Sequence, residues 1–367
     1  MIKYLCFAEE NGNRNEKGLA MKHKKTKAGK TASRVIDRIF GIILATVIVV
    51  GICGLGLEWV LVKGPSPALK ESFVMTMFWT RRFDFIPRIF LTEDEVESII
   101  KSRFTNRQYE AATDVSLISI NTEETDPNLG PQPDAYGIID EDGDGIIIQD
   151  VKKKGFVGKM IIVKDPSRVF VGMPEFYGGY GMTLQDMAAR YGALGGINGG
   201  AFIDEDGGGT GGYPDGLVVV NGQCYSGGTE RTFVGFDTDN ILHIGVFDEE
   251  EAHELRLRDG VSFGPALIVN GEGIYGGFME SGINPRSAIG QRADGAVLLL
   301  CIDGRQMHSI GCSFGDVRDV MIDYGAMNAC NLDGGSSTVM YYNGEIINSP
   351  SSASGTSRAL PNAFLFK

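Results

Sequence analysis

The sequence predicts an α+β protein: a β-rich mixed-sheet domain with a few helices, preceded by one N-terminal transmembrane helix. Three observations carry this prediction. Ile39 to Leu57 is an uninterrupted run without a charge. From Gly145 onward, short β-branched and apolar runs alternate with Gly, Asp or Pro, the pattern of strands and tight turns. The 51 glycines, some of them in pairs and a triplet, show no Gly-X-Y period, which excludes collagen and favours many turns.

Taken in order, residues 1–38 form a basic tail with ten Lys or Arg and four Asp or Glu. Residues 39–62 follow as the membrane helix, broken only by Glu58 and closed by Trp59-Val60-Leu61-Val62. About 20 apolar residues span a bilayer, and basic residues ahead of the span keep the N-terminus cytoplasmic. The expected location is therefore the cell membrane, single-pass, with the rest of the chain outside. Residues 63–104 predict a membrane-proximal helical stalk, with Ser66-Pro67 opening one helix and Thr92 to Glu95 spaced as a capping box for another ending near Phe104. Residues 105–144 are polar and turn-rich and read as a linker.

Residues 145–367 predict a single domain. Strands are expected at 146–148, 159–163, 169–171, 217–220, 232–236, 241–246 and 296–301, with a last one in 359–366. Helices are expected from Leu184 to Tyr191, after Thr183, and near 316–327. Asn331 to Thr338 then forms a loop leading into Val339-Met340-Tyr341-Tyr342.

The net charge is −13, and the basic tail leaves −19 for residues 39–367. An acidic body argues against nucleic acid as a partner. Six cysteines without a C-x-x-C pair, and only four histidines, argue against a zinc site. A disulfide among Cys224, Cys301, Cys312 and Cys330 is open, because no spacing selects a pair. Asp140 to Gly145 imitates the start of a calcium loop but has Val151 where a bidentate Glu belongs, so a tight acidic turn is expected. No cofactor is expected; the Asp140–Asp144 and Asp204–Asp206 clusters are the places to test for calcium.

Five stretches carry chemistry. Asn331-Leu332-Asp333-Gly334-Gly335-Ser336-Ser337-Thr338 joins a carboxylate, two glycines and three hydroxyls. Such a loop offers donors to an anion and a carboxylate beside it; alone it is as readily a hairpin turn. Gly195-Gly196-Ile197-Asn198-Gly199-Gly200 sets an amide between glycine pairs, also a common turn composition. Pro214-Asp215-Gly216 follows a stretch, Asp204–Gly212, that reads as a mobile flap or a solvated insertion. Asn284-Pro285-Arg286-Ser287 places an Arg at a strand start, suited to bidentate capture of phosphate, or to a surface ion pair. Cys301-Ile302-Asp303-Gly304-Arg305 delivers a carboxylate and an Arg at a strand end. Several carboxylates, an Arg and a hydroxyl loop, without a GxSxG elbow, a P-loop or a His-paired nucleophile, suit glycosidic cleavage by carboxylates.

In this order the five motifs resemble the phosphodiester glycosidase family, of uncovering-enzyme type, whose bacterial relatives are labelled exopolysaccharide biosynthesis proteins. The resemblance covers about residues 145–367. It implies hydrolysis of a sugar-1-phosphodiester in envelope or exopolysaccharide glycans. Carried onto this chain, Arg286 with Gly334, Gly335, Ser336, Ser337 and Thr338 would hold the phosphate. Asp333 and Asp303 would act at the anomeric carbon as acid/base or nucleophile, in either assignment. Asn198, Gly199, Asp215 and Arg305 would position the substrate, with no metal. The separation of the carboxylates, which a sequence does not give, decides retention or inversion. The alternative is a non-catalytic glycan-binding or assembly module with the same fold and anion pocket.

Overall fold

In Val297 to Ile302 every side chain is buried, and alternate residues serve opposite faces. Val297, Leu299 and Cys301 enter one core; Leu298, Leu300 and Ile302 enter another. An unbroken apolar run is what a strand covered on both faces requires. The computed structural model describes residues 38–80, 83–104, 112–120, 131–203, 210–226, 231–275, 282–352 and 357–367. The expected tail, much of the expected 105–144 linker, and Asp204–Asp206 with most of the expected flap lie outside them.

The chain divides into two units, residues 1–64 and 65–367. In the first, α1 (Arg38–Lys63) has 26 residues and none of its apolar window is buried in protein; among the described residues it is the one helix long and apolar enough to cross a membrane. The second begins with α2 (Pro67–Thr80) and α3 (Glu93–Phe104). The expected capping box is present: Glu95 N donates to Thr92 Oγ1 (3.2 Å) and Thr92 N to Glu95 Oε2 (2.8 Å).

Three sheets follow. The largest contains β1 (Ile146–Lys153), β2 (Phe156–Val163), β10 (Ala266–Val269), β11 (Glu272–Gly273), β12 (Arg286–Arg292), β13 (Val297–Ile302) and β14 (Ala326–Leu332), ordered β1-β2-β13-β12-β14-β10-β11. The second contains β3 (Val169–Gly172), β4 (Gly195–Asn198), β15 (Met340–Tyr342), β16 (Glu345–Ile346) and β17 (Ala363–Phe366), ordered β16-β15-β4-β17-β3. The third contains β5 (Val218–Val220), β6 (Gln223–Ser226), β7 (Thr232–Asp237), β8 (Leu242–Gly245) and β9 (Leu257–Phe263), ordered β6-β5-β9-β7-β8. The α+β class is as expected. The sheets, expected as mixed, are antiparallel at every strand pair among the described residues, since short turns such as Lys154-Gly155 join neighbours directly.

One core lies where the three sheets meet, with Leu299 and Ile289 from the first, Ile197 and Phe364 from the second, and Val234 and Val261 from the third. A second core lies under α6 (Phe314–Asp323), which covers the far face of the seven-stranded sheet. The smaller helices α4 (Leu184–Tyr191) and α5 (Glu249–Glu254) contribute to satellite clusters with the second and third sheets.

One helix boundary is corrected, and the open question of a disulfide is answered. The helix expected over 316–327 ends at Asp323, and β14 occupies the residues before the loop. Gly325, at φ +81°, makes the change of direction. The cysteines Cys53, Cys224, Cys301, Cys312 and Cys330 are all free, so no disulfide forms among them. Described parts of the 105–144 stretch dock on the domain: Ser119 N donates to Ala293 O (2.8 Å), Asp134 pairs with Arg292 (2.8 Å), and Ile138 joins the core. The Asp140–Asp144 turn is held internally. Asp140 accepts from the Gly143 and Gly145 amides (3.1 Å each) and pairs with Lys164 (2.9 Å).

Candidate functional site

Strand register brings the motifs together. Arg286 at the start of β12 faces Ile302 at the end of β13, and Ser287 faces Leu332 at the end of β14. Asp303 and Asp333, each one residue past a strand end, therefore emerge at the same end of the seven-stranded sheet. In the second sheet, Asn198 at the end of β4 faces Ala363 at the start of β17. Ser287 Oγ donates to Asn198 Oδ1 (2.7 Å), and Asn198 Nδ2 donates to Asp333 O (2.6 Å), which ties the two sheets at this point. Asn198 Oδ1 also accepts from Val339 N (3.2 Å). Its buried amide is thus spent on protein, and it braces the Asp333 loop. Gly199 continues the brace: its carbonyl accepts from Asp333 N (3.1 Å), and a Cβ on it would fall 2.1 Å from Asn362 Oδ1.

The 333–338 loop turns tightly. Asp333 Oδ1 accepts from the Gly334 amide (2.9 Å), and Gly335 sits at φ +62°. A Cβ on Gly335 would lie 3.4 Å from Arg305 Nη2, so the Arg305 guanidinium stands against this glycine. Arg305 Nη2 also donates to Asn284 Oδ1 (2.8 Å). From the other side Arg358 Nη1 comes within 3.5 Å of Ser336 Oγ, its guanidinium lying 4.7 Å from the centre of the Phe202 ring. Ser336 is half-buried, whereas Ser337 and Thr338 are buried.

Arg286 lies below this rim. Only 3% of it is exposed, its guanidinium is 3.9 Å from the centre of the Phe314 ring, and it donates to Gly282 O (3.1 Å) and Cys312 O (3.3 Å). Burial lowers its pKa to about 10, so it keeps its charge at neutral pH. A buried cation beneath the loop makes the local potential favourable to an anion.

Asp303 is nearly buried. Its Oδ1 accepts from Ser349 N (2.9 Å) and Asn348 Nδ2 (3.1 Å). Its Oδ2 lies 3.5 Å from His308 Nε2, and His308 is about half exposed. Asp215 is held elsewhere: Oδ2 accepts from Arg231 Nη2, while its amide donates to Ala201 O (2.9 Å), just beyond the Asn198–Gly200 turn. The thiols of Cys301, Cys312 and Cys330 are all pushed well above their ordinary pKa by burial, so none supplies a thiolate nucleophile.

Four buried polar atoms around these strand ends have no protein partner: Asn284 Nδ2, Asn331 Oδ1, Thr338 Oγ1 and Asn362 Nδ2. Such atoms are costly unless something polar meets them. Sequence reasoning missed His308, Arg358, Asn348 and Asn362. None sits in a glycine-rich motif, and only the fold brings them to Asp303, Ser336 and Gly200. The expected residues Asp333, Asp303, Arg286, Arg305, Gly334, Gly335 and Ser336 do gather at one sheet end.

Residues 191–367 match the phosphodiester glycosidase family. N-acetylglucosamine-1-phosphodiester α-N-acetylglucosaminidase of Bos taurus is 28% identical over 193 residues, 46% of this chain and 35% of that protein. The Mus musculus enzyme of the same name is 27% identical over 227 residues, 54% of this chain and 42% of that protein. The chain thus spans less than half the length of these relatives. The solved catalytic domain of the zebrafish enzyme, auto-inhibited by its pro-peptide, superposes with a TM-score of 0.52 at 24% identity, covering 60% of this chain and 81% of that one; this is a likeness of fold. Strands β2 and β3 precede the matched residues yet pair with β13 and β17, so the folded domain is larger than the match. The family to which this chain is similar, over the 177 residues of the match, is that of the phosphodiester glycosidases.

Proposed function

We propose that this protein is a membrane-anchored extracytoplasmic hydrolase that cleaves sugar-1-phosphodiesters in envelope or exopolysaccharide glycans. The observation that carries the reading is the convergence of Arg305, Arg358 and Ser336 on the Gly334–Gly335 turn, directly beside Asp333. The two arginines and the Ser336 hydroxyl take the phosphate, with the buried Arg286 charge supporting them from below. Neutralising the phosphate as it leaves is the main electrostatic demand, because the C1–O bond breaks with charge flowing onto it. Asp333 faces the sugar carbon as that carbon becomes cationic. Water adds to C1, and the products are the free sugar and a phosphomonoester.

Asp303 is too buried to reach substrate directly. It acts as a positioning residue for His308, which exchanges the proton. This refines the expected pairing of Asp333 with Asp303. Asn198 and Gly199 hold the Asp333 backbone, and the relatives' named substrate makes an N-acetylglucosamine-1-phosphodiester the first compound to test. Full-length protein should release reducing sugar from it, and Asp333→Asn should not. If wild type releases none from any sugar-1-phosphodiester, the hydrolase reading fails. The second reading, a non-catalytic glycan-binding module, is favoured by Asp303 Oδ1 being committed to Ser349 and Asn348. Equal glycan binding by wild type and Asp333→Asn, with no product from either, would establish it.

A further inference from the structure

The sequence predicts a stalk over residues 63–104, yet α2 closes on the segment that carries the site arginines. Thr76 lies within this helix. Its hydroxyl donates to Ser72 O (2.7 Å), one turn back, and accepts from Ile283 N (3.2 Å), far along the chain. A hydroxyl has one hydrogen and two lone pairs. With the hydrogen fixed on the Ser72 carbonyl, the lone pairs keep a fixed direction, and the Ile283 amide meets one of them. Gly282 permits the approach. It sits at φ +62°, and a Cβ on it would fall 2.9 Å from Thr76 N and 3.0 Å from Thr76 Cα and Oγ1. Both the conformation and the close approach call for glycine. Val74 and Met75, the neighbours of Thr76, are buried and hold the helix in place.

Two chains of contacts run from this point to the site. Gly282 O accepts from Arg286 Nη2 (3.1 Å). Asn284 Oδ1 accepts from Arg305 Nη2 (2.8 Å), and Arg305 stands against Gly335. Residues 282–284 therefore hold both arginines, Gly282 one and Asn284 the other. Ile283, between them, is the residue anchored to Thr76. On its other side the segment is fixed by Cys312: Asn284 N donates to Cys312 O (3.2 Å), and Cys312 N donates to Asn284 O (3.0 Å). The segment is thus clamped between the α6 approach and α2. A helix that only packed would meet the domain through apolar side chains; here a hydroxyl holds a backbone amide.

We infer that Thr76 is a positioning residue for the anion site: by holding Ile283 it sets the Gly282 carbonyl and the Asn284 side chain, and through them Arg286 and Arg305. This rests on the sugar-phosphodiester hydrolase reading above. The test uses the full-length chain as wild type, Thr76→Val, Thr76→Ser and, as a control at an exposed position of α2, Leu69→Ala. It reads kcat, KM and the inhibition constant of inorganic phosphate, with the methyl diester of N-acetylglucosamine 1-phosphate as substrate. Thr76→Val keeps the shape and removes the hydroxyl. It should lower kcat/KM and weaken phosphate inhibition, each by about 10-fold, since a small misplacement of binding groups is costly. Thr76→Ser and Leu69→Ala should keep both at wild-type values. A merely structural role would shrink the active fraction, so that kcat fell while KM and the phosphate constant stayed unchanged. That outcome overturns the inference, as does a Thr76→Val protein equal to wild type or a Thr76→Ser protein as impaired as Thr76→Val. If wild type cleaves no diester, the hydrolase reading fails separately. Calorimetric titration with inorganic phosphate then decides. Binding weakened in Thr76→Val and kept in Thr76→Ser upholds the positioning role; equal binding by all three, or none by wild type, overturns it.

Discussion

Arg305 and Arg286 stand two residues from the carboxylate Asp303 and one residue past the Asn284-Pro285 turn, respectively, yet their substitutions should separate cleanly. Arg305 is exposed at the rim and rests on Gly335. Arg305→Ala should lower kcat by about 100-fold, the scale of losing one charge-stabilising donor, with no change in unfolding midpoint. Arg286 is packed on Phe314 and bonded to two backbone carbonyls. Arg286→Ala leaves those carbonyls buried without that donor and should destabilise by about 3 kcal/mol, read in urea unfolding. An unchanged midpoint for Arg286→Ala would remove it from the scaffold. His308 gives a second test at this scale. His308→Ala should flatten one limb of the pH–rate profile, and Asp303→Asn should flatten the same limb, because the two act as one unit. If the limb survives in His308→Ala, the proton is carried elsewhere. Asp303, Asp333 and Arg286 were legible in the sequence: the two carboxylates each precede a Gly at a strand end, and Arg286 follows the Asn284-Pro285 turn into a strand, local patterns that a sequence displays. His308 was not, since a turn histidine carries no local signal. Arg358 was not, since its contact with Ser336 spans 22 residues and passes through β15 and β16.

At the scale of elements, the sequence was most readable where a cap or a period marked the boundary. Leu184–Tyr191 is helical over the expected residues, because Thr183 caps it through Asp186 N (3.2 Å) and Gly192 closes it in the left-handed region. β14 was missed because Ala326-Met327-Asn328-Ala329-Cys330-Asn331-Leu332 lacks β-branched residues. It is held by lying between β12 and β10, a tertiary effect that overrides propensity. The β7–β8 turn supplies a prediction of its own. Burial opposes the charge on Asp237, but His243 Nε2 (2.8 Å) and the amides of Ile241 and Asp239 more than offset it, leaving its pKa below the ordinary 3.8. A carboxylate with a depressed folded pKa contributes stability that is present above the unfolded value and lost as pH falls through the folded one. The stability advantage of wild type over Asp237→Asn should therefore be full at about pH 6 and shrink below about pH 4. Urea unfolding at the two pH values reads it, and a pH-independent difference would place the hairpin's stability elsewhere.

At the scale of the whole molecule, the span and the domain are separable by sequence and by contact: α1 closes at Lys63 and the second unit begins at Pro65. In the proposed orientation the basic tail ahead of α1 stays cytoplasmic, since Lys and Arg flanking a span are retained on that side. Among the described residues five cysteines are free, three of them buried, and the second unit is built on the core shared by its three sheets. Under this proposal the phosphate cluster faces substrates outside the cell, which makes the topology testable by protease. With an epitope tag at each end of the full chain, proteinase K added to intact cells should destroy the C-terminal tag and spare the N-terminal one. Membranes washed with alkaline carbonate should retain the uncut chain, since 26 residues of helix span about 39 Å, more than the hydrocarbon core. A chain lacking residues 1–63 should appear in the soluble fraction with the unfolding midpoint of the full-length protein, because the second unit carries its own core. Protection of the C-terminal tag in intact cells would reverse the orientation and, with it, the assignment of an external glycan as substrate.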